Sequence, residues 1–475
     1  VPVPASMTTA RVQHTRSALA HAWSPHAWRD VLAVRPADAA IVPALRVAVA
    51  MLVTLCVGGL VGQQQLAAIA TLGSLCSAFC RYEAYPYLAR RLVLVGLLLV
   101  ASTAVGGGLG AVEAPIGVQV GVLAVLGAVA LVVLTAFRIL GPGPVIMMFA
   151  ASAGAGFADS AADVGRVTLA TGLGVAVGAA CCLVGALWLP LGPARLAVAR
   201  ALGALDRHAP GASVEPVRQA IAAARTTVAW SPAGPRTDPR RRVLWALLDQ
   251  AEQVLATDGL AGRQRLTRHE PALRRLWPIP LDTEHLDADL LAHADQLGTP
   301  ARTPGLLAQS LHRLLDAELL RGSVRVLAGA ALAGLLAVDL GLAHPLWAGM
   351  GAMAALQGLT YHSTLQRGVQ RLSGNVVGGL VAAGLLALDL GYWPLAAIAV
   401  LLQLLVELMV ARSYLLVQVG VTPMALLLAS LGSPFGPSMA LDRVGDTLVG
   451  VLVGAVVGVA TISLADHHHL QVRHQ

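Results

Sequence analysis

Twelve apolar segments recur along this chain, and each is long enough, or nearly long enough, to cross a bilayer as a helix. A helix spans the hydrocarbon in about 20 residues, and tightly packed helices can be shorter. In the first half the segments are Val42–Val61, Leu66–Cys80, Leu92–Leu109, Ile116–Ala136, Val145–Ala158 and Val167–Leu189. In the second they are Val324–Leu342, Leu346–Tyr361, Leu372–Leu390, Trp393–Ala411, Tyr414–Ser430 and Val444–Leu464. The pattern specifies an all-α polytopic membrane protein.

Composition agrees, with 56% hydrophobic and 12% charged residues and a mean hydropathy of +0.70, too apolar for the surface of a soluble globule of this size. The basic residues are all Arg, and the formal charge is +7. They flank apolar spans, so membrane orientation accounts for them and nucleic acid is not expected as a partner. Cys56, Cys76, Cys80, Cys181 and Cys182 all fall inside apolar segments, where they read as buried hydrophobes rather than disulfides or metal ligands.

Charge alternates between successive connections. Arg35 and Arg46 precede or open the first span, Arg81, Arg90 and Arg91 follow the second, Arg138 the fourth, and Arg195 and Arg200 the sixth. The intervening loops carry Gln63-Gln64-Gln65, Glu113, Asp159 and Asp163, with Arg166 the exception. The second half repeats this, with Arg321 and Arg325, then Arg367 and Arg371, then Arg412 on one side and His344, Asp389 and Asp442 on the other. The positive-inside rule then places both termini in the cytoplasm of a cell with the protein in its inner or plasma membrane.

An even number of spans in each half predicts two parallel six-helix repeats, residues 41–190 and 323–465. Leu45-Arg46-Val47 answers Val324-Arg325-Val326, Arg91 answers Arg371, and Gly165-Arg166-Val167 answers Asp442-Arg443-Val444. Gly174 and Gly178 match Gly450, Gly454 and Gly458, small residues that let helices approach closely in lipid.

Residues 191–322 change character, with Pro-rich breaks and amphipathic stretches around Val217–Val228, Arg241–Leu255, Leu281–Leu297 and Leu306–Leu320. They predict a cytoplasmic helical insert. It carries no phosphate loop, metal cluster or nucleophile triad, so neither an enzyme nor a metal or other cofactor is expected. Residues 1–40 are broken by Pro2, Pro4, Pro25 and Pro36, against a cleavable signal peptide, and Trp23 and Trp28 predict an interfacial helix. In the tail, 466–475, His467-His468-His469 is read as a flexible run with no specific metal.

The ordered motifs of the second half carry a family resemblance: His344-Pro345-Leu346-Trp347-Ala348-Gly349-Met350, Gln357, Arg367, Arg371 and Gly374, Val421-Thr422-Pro423-Met424-Ala425-Leu426, and Asp442-Arg443-Val444-Gly445-Asp446-Thr447. In these the chain resembles the fusaric-acid resistance and aromatic acid exporter family, strongly over 324–460 and weakly over 42–190. The resemblance implies a duplicated six-span module that exports small aromatic or other organic acids, driven by protons. The first half departs from it, with Gln63 and Gln64 where the second has His344 and Ile69 where it has Trp347.

Several residues are candidates for an ion or substrate path. Glu407 lies within an apolar span, where an ionisable group is costly; it reads either as a proton carrier or as a structural ion pair near the cytoplasmic face. His344 and Trp347 read as a proton-sensing outer mouth or as an interfacial anchor. Arg91 and Arg371 suit an organic carboxylate, or simply hold orientation, and Asn375 and Gln357 extend the path beside Arg371. Thr422-Pro423 and Gly141-Pro142-Gly143-Pro144 read as broken helices around a midplane site or as ordinary kinks. Asp442, Arg443 and Asp446 read as a local pairing at the outer surface. The expected partners are the lipid bilayer, a small organic anion and protons, with homo-oligomers allowed. An anion channel and an envelope scaffold acting through the insert are the rival functions.

Overall fold

The chain was described in a computed structural model, which covers residues 41–79, 81–209, 211–257, 260–275, 310–357, 361–431 and 438–461, with three isolated positions besides. The expected interfacial helix at Trp23 and Trp28, Cys80, nearly all of the 281–297 stretch and the His467–His469 run lie outside them. Every regular element among the described residues is helical.

The apolar segments become α1 (Ile41–Leu60), α2 (Gln64–Ser74), α3 (Tyr85–Ala111), α4 (Ile116–Ala136), α5 (Val145–Phe157) and α6 (Ala161–Leu183), the last extended by the short α7 (Gly185–Trp188). After the insert come α13 (Ala317–Asp339), α14 (Pro345–Leu356), α15 (Tyr361–Ala387), α16 (Tyr392–Met409), α17 (Tyr414–Ser430) and α18 (Ser438–Ala460). Eight of these, counting α6 with α7 as one, are long and apolar enough to cross a membrane. Among the described residues, then, eight of the twelve expected spans reach full length, and α2, α5, α14 and α17 are shorter at 11, 13, 12 and 17 residues. Lengths run 20, 11, 27, 21, 13, 23 in α1 to α6 and 23, 12, 27, 18, 17, 23 in α13 to α18.

Several helices start earlier than hydropathy places them. The described part of the 306–320 stretch divides into a 3-10 turn at Leu311–Leu315 and the first residues of α13, because Asp316 caps α13 by accepting hydrogen bonds from the Glu318 and Leu319 amides at 2.8 and 3.4 Å. In α3 and α15 the opening turns hold Arg90, Arg91, Arg367 and Arg371, so the helix extends beyond its apolar part.

The helices divide between two compact units, the first containing residues 1–79, 95–178 and 311–475. In it, α14 packs on α18 and α13, α15 on α17 and α18, α4 on α13, and α1 on α16. Glycine sets the closest approaches. Gly73 of α2 lies against the Thr171 carbonyl of α6, and Gly351 of α14 against Thr447 of α18; Gly96 of α3 faces Val175, and Gly368 of α15 faces Val451. Gly174 and Gly178 meet the Ala70 and Ser74 carbonyls, and Gly450 and Gly454 meet those of Ala348 and Ala352. Helices in lipid gain cohesion from such backbone contact because there is no hydrophobic effect to drive them together.

The outward faces are apolar. On α15, Val376, Val377, Leu380 and Val381 are exposed while Asn375, Gly378 and Ala382 are buried; on α1, Leu45, Val49, Leu52, Val57 and Leu60 are exposed. A contiguous exposed stripe of this kind is a lipid-facing surface.

The second unit comprises residues 80–94 and 179–310, so it adds 80–94 and 179–190 to the 191–322 insert read from composition and leaves 311–322 to the first unit. It holds α8 (Gly192–Asp206), α9 (Glu215–Ala229), α10 (Asp238–Thr257), α11 (Leu260–Thr267) and α12 (Glu270–Arg274) around a core of Val198, Leu202, Val217, Ile221, Leu244 and Leu248. Buried Arg241 joins two of its helices, donating to the Val228 and Ala229 carbonyls at the end of α9, each at 3.3 Å, and pairing with Asp238 at 3.0 Å.

Candidate transport site

Three helices of the first unit meet at a polar seam. From α15, Arg371 and Asn375 lie one turn apart on the same face; from α17 come Gln418 and Thr422, also one turn apart. Facing them on α18 are Arg443, Asp446 and Thr447. The Thr422 hydroxyl donates to Asn375 Oδ1 at 2.7 Å, Asn375 Nδ2 donates to Thr447 Oγ1 at 2.5 Å, and Arg371 Nη1 reaches Gln418 Oε1 at 3.5 Å. All seven side chains are buried.

Pro423 lies inside α17, which continues through it. Proline has no N–H for the carbonyl four residues earlier, that of Val419, and this carbonyl lies 2.9 Å from where a Cβ on Gly378 of α15 would stand. The glycine therefore lets α15 close on α17 at the proline, which brings Asn375 within reach of Thr422. Gly141–Pro144 sits differently, in the turn before α5 and not within a helix.

Arg443 and Asp446 are the residues that sequence reasoning misplaced. Rather than pairing at a surface, they are buried to 5% and 1% exposure. Neither carboxylate oxygen of Asp446 has a hydrogen-bond partner, and neither do Arg443 Nε, Arg443 Nη1 or Arg371 Nε. The Arg443 guanidinium instead lies 4.5 Å from the Trp347 ring centroid. Three charged residues near a helix start look like a solvated surface; the packing of α14 and α15 on α18 buries Arg443 and Asp446 and leaves Asp442 half-buried.

Trp347 also stacks with His344, centroids 4.1 Å apart and planes at 10°. His344 occupies the N-cap position of α14 and Pro345 its first turn. Partial burial pushes the His344 imidazole below its usual pKa; Asp442 opposes this shift and Arg443 adds to it. Both rings line a cavity of about 280 Å³, walled by Ile69 and Leu72 of α2, Phe149 and Phe157 of α5, and Ala425 and Leu428 of α17, with Gln119, Ser152 and His344 as polar points. Among the described residues no arginine lines it. Phe157 also borders a second, polar cavity of about 320 Å³, lined by Gln63, Gln64, Gln65, Asp163 and Arg166.

The other candidates fall elsewhere. Gln357 is at the far end of α14 from His344, about 20 Å along the axis at 1.5 Å per residue. It accepts from Arg367 Nη2 at 3.4 Å and is not bonded to Arg371 or Asn375. There Arg367 and Arg325 donate to the Ala354 and Leu356 carbonyls at 3.4 and 3.0 Å, satisfying the C-terminus of α14. Glu407, 2% exposed, accepts from Gln403 at 3.0 Å in the last turns of α16 and does not line either cavity. Arg91 belongs to the second unit, where it pairs with Glu83 and donates to the Tyr87 hydroxyl at 2.7 Å. Among the described residues no cluster could hold a metal ion.

Compared with known families, residues 328–457 match the model described as fusaric acid resistance protein-like. Neither the curated proteins nor the solved structures include a match to the chain. The matched stretch runs from α13 to α18 and contains the His344–Trp347 stack together with the whole polar seam. Over this stretch the chain, whose long apolar helices are those of a multi-pass membrane protein, is similar to the fusaric acid resistance protein-like family.

Proposed function

We propose that the protein is a secondary transporter that exports small aromatic or other organic acids across the inner or plasma membrane, with protons as the coupling ion. The observation that carries this reading is the double role of Trp347, which lines the apolar cavity and also touches the buried Arg443. An aromatic acid has the same two parts, a ring for the cavity and a carboxylate for a guanidinium.

The architecture in this reading is two parallel six-helix repeats. Support comes from contacts that recur in order: Gly73–Thr171 with Gly351–Thr447, Gly96–Val175 with Gly368–Val451, and Gly174–Ala70 with Gly450–Ala348. The Thr171–Thr103 hydrogen bond, 3.1 Å, answers Asn375–Thr447, and the α4–α13 packing answers α16–α1. This register differs from the one read from motifs. It sets Leu99, not Arg91, opposite Arg371, and Val167, not Arg166, opposite Arg443.

The test is uptake of labelled salicylate into vesicles reconstituted with the whole chain, with and without a pH gradient. Gradient-driven accumulation that is lost in Trp347→Ala supports the reading. Conductance that persists without any gradient indicates an anion channel instead, and absence of movement in both assays overturns transport.

A further inference from the structure

Arg371, Arg443 and Asp446 hold two positive charges and one negative, each residue at most 5% exposed and each inside an apolar helix bundle. Burying charge without pairing is expensive, and such groups persist where they meet a partner or a path. Here the pairing is incomplete: two Arg443 nitrogens, Arg371 Nε and both Asp446 oxygens lack hydrogen-bond partners.

The first half shows that the helix frame does not need these charges. In the contact register, Leu99, Val167 and Ala170 stand opposite Arg371, Arg443 and Asp446, and all three are buried apolar residues. At these three positions the same backbone packing is filled by hydrocarbon, with the uncharged Thr171–Thr103 hydrogen bond beside them. The charges in the second half therefore serve a purpose other than packing.

We propose that Arg371 and Arg443 form a binding site for a monovalent carboxylate, and that Asp446 is its resident counter-anion, which gives way to the incoming carboxylate when it takes up a proton. The inference deepens the transport reading and rests on it for the identity of the anion. With Asp446 ionised the two guanidinium groups are already half neutralised; once it is protonated both are open to an incoming carboxylate, which restores the single negative charge that Asp446 gave up. Trp347, beneath Arg443 and facing the cavity, gives an aromatic substituent its place.

The charged groups around Asp446 are few. Arg443 and Asp442 share α18 with it, and their fields reach it; Arg371 acts on Arg443 from α15. From α14, His344 faces Asp442 and Arg443. On α13 the charged residues sit at the two ends, Glu318, Arg321 and Arg325 at one and Asp339 at the other. Protonation transfers one proton from water to the Asp446 carboxylate and leaves the two guanidinium groups with the substrate carboxylate as their only nearby anion within the seam. Proton and carboxylate then bind together, each favouring the other.

The experiment is calorimetric titration of the whole chain in lipid nanodiscs with benzoate, in mildly acidic and mildly alkaline buffers. The wild type is expected to lose about tenfold in affinity for each pH unit above the Asp446 titration. Asp446→Asn should bind tightly at both ends of the range, and Asp446→Ser should do the same, giving a second variant should one fold poorly. Arg443→Gln should bind at neither. An Asp446→Asn protein that keeps the wild-type pH slope overturns the proposal, as does an Arg443→Gln protein that binds normally or a wild type that binds no benzoate. Chloride that displaces benzoate at equal concentration overturns the carboxylate assignment. Vesicles that move no acid while the pH-linked binding persists refute the transport reading and leave the Asp446 assignment standing.

Discussion

The guanidinium of Arg443 lies 4.5 Å from the ring centroid of Trp347, so one tryptophan separates a buried cation from an apolar cavity. Trp347 is 9% exposed, and its ring holds α14 against α18. Trp347→Ala should destabilise the protein by about 3–5 kcal/mol, the range for removing a large buried aromatic. Trp347→Phe keeps a ring beneath Arg443 and should cost less than half as much. Thermal unfolding in detergent measures both, and equal losses for Ala and Phe would rule out the ring–cation contact as the source.

Asn375 is the joint of the seam, accepting from Thr422 and donating to Thr447. Asn375→Leu leaves both hydroxyls in an apolar bundle and should cost about 1–3 kcal/mol, the price of orphaned buried polar groups. Adding Thr447→Val should then cost little more, since its partner is already gone. Strict additivity in a double-mutant cycle would mean that the bond between them contributes nothing.

Much of this fold is legible in the sequence, because apolar length is what a bilayer demands. Ile116–Ala136 and Tyr414–Ser430 coincide with α4 and α17. Helix starts at Tyr85 and Tyr361 are not legible, since arginine-bearing turns lower the local hydropathy without ending the helix. The site is legible only in part. Arg371, Asn375 and Thr422 stand out as polar residues one turn apart or beside a proline within apolar spans. Arg443 and Asp446 do not, because their burial comes from α14 and α15, distant in sequence. Glu407 stands out by its apolar neighbours, yet the bond it makes with Gln403 is local to α16.

Gly450 and Gly445 share α18 but differ in what surrounds them. A Cβ at Gly450 would overlap the backbone of α14 at the Ala348 carbonyl, whereas one at Gly445 would meet nothing within 4 Å. Gly450→Ala should therefore force the helices apart and cost about 1–3 kcal/mol or more. Gly445→Ala should be neutral or stabilise by up to about 1 kcal/mol through helix propensity. Unfolding midpoints of the two variants check this, and a tolerated Gly450→Ala would contradict the close α14–α18 approach.

His344 gives stability a pH dependence of definite sign. Partial burial first, and the Arg443 charge after it, hold the folded-state pKa below the ordinary value of 6.5, with Asp442 opposing them. The unfolded chain therefore takes up a proton on this ring at higher pH than the folded protein does. The stability contributed by neutral His344 is complete above about 6.5 and is lost as pH falls from there through the folded-state pKa. His344→Gln cannot titrate, so its unfolding midpoint should fall less steeply than that of the wild type as the pH is lowered below that value. Identical slopes for the two proteins would mean that the imidazole sits in an environment as wet as the unfolded chain's.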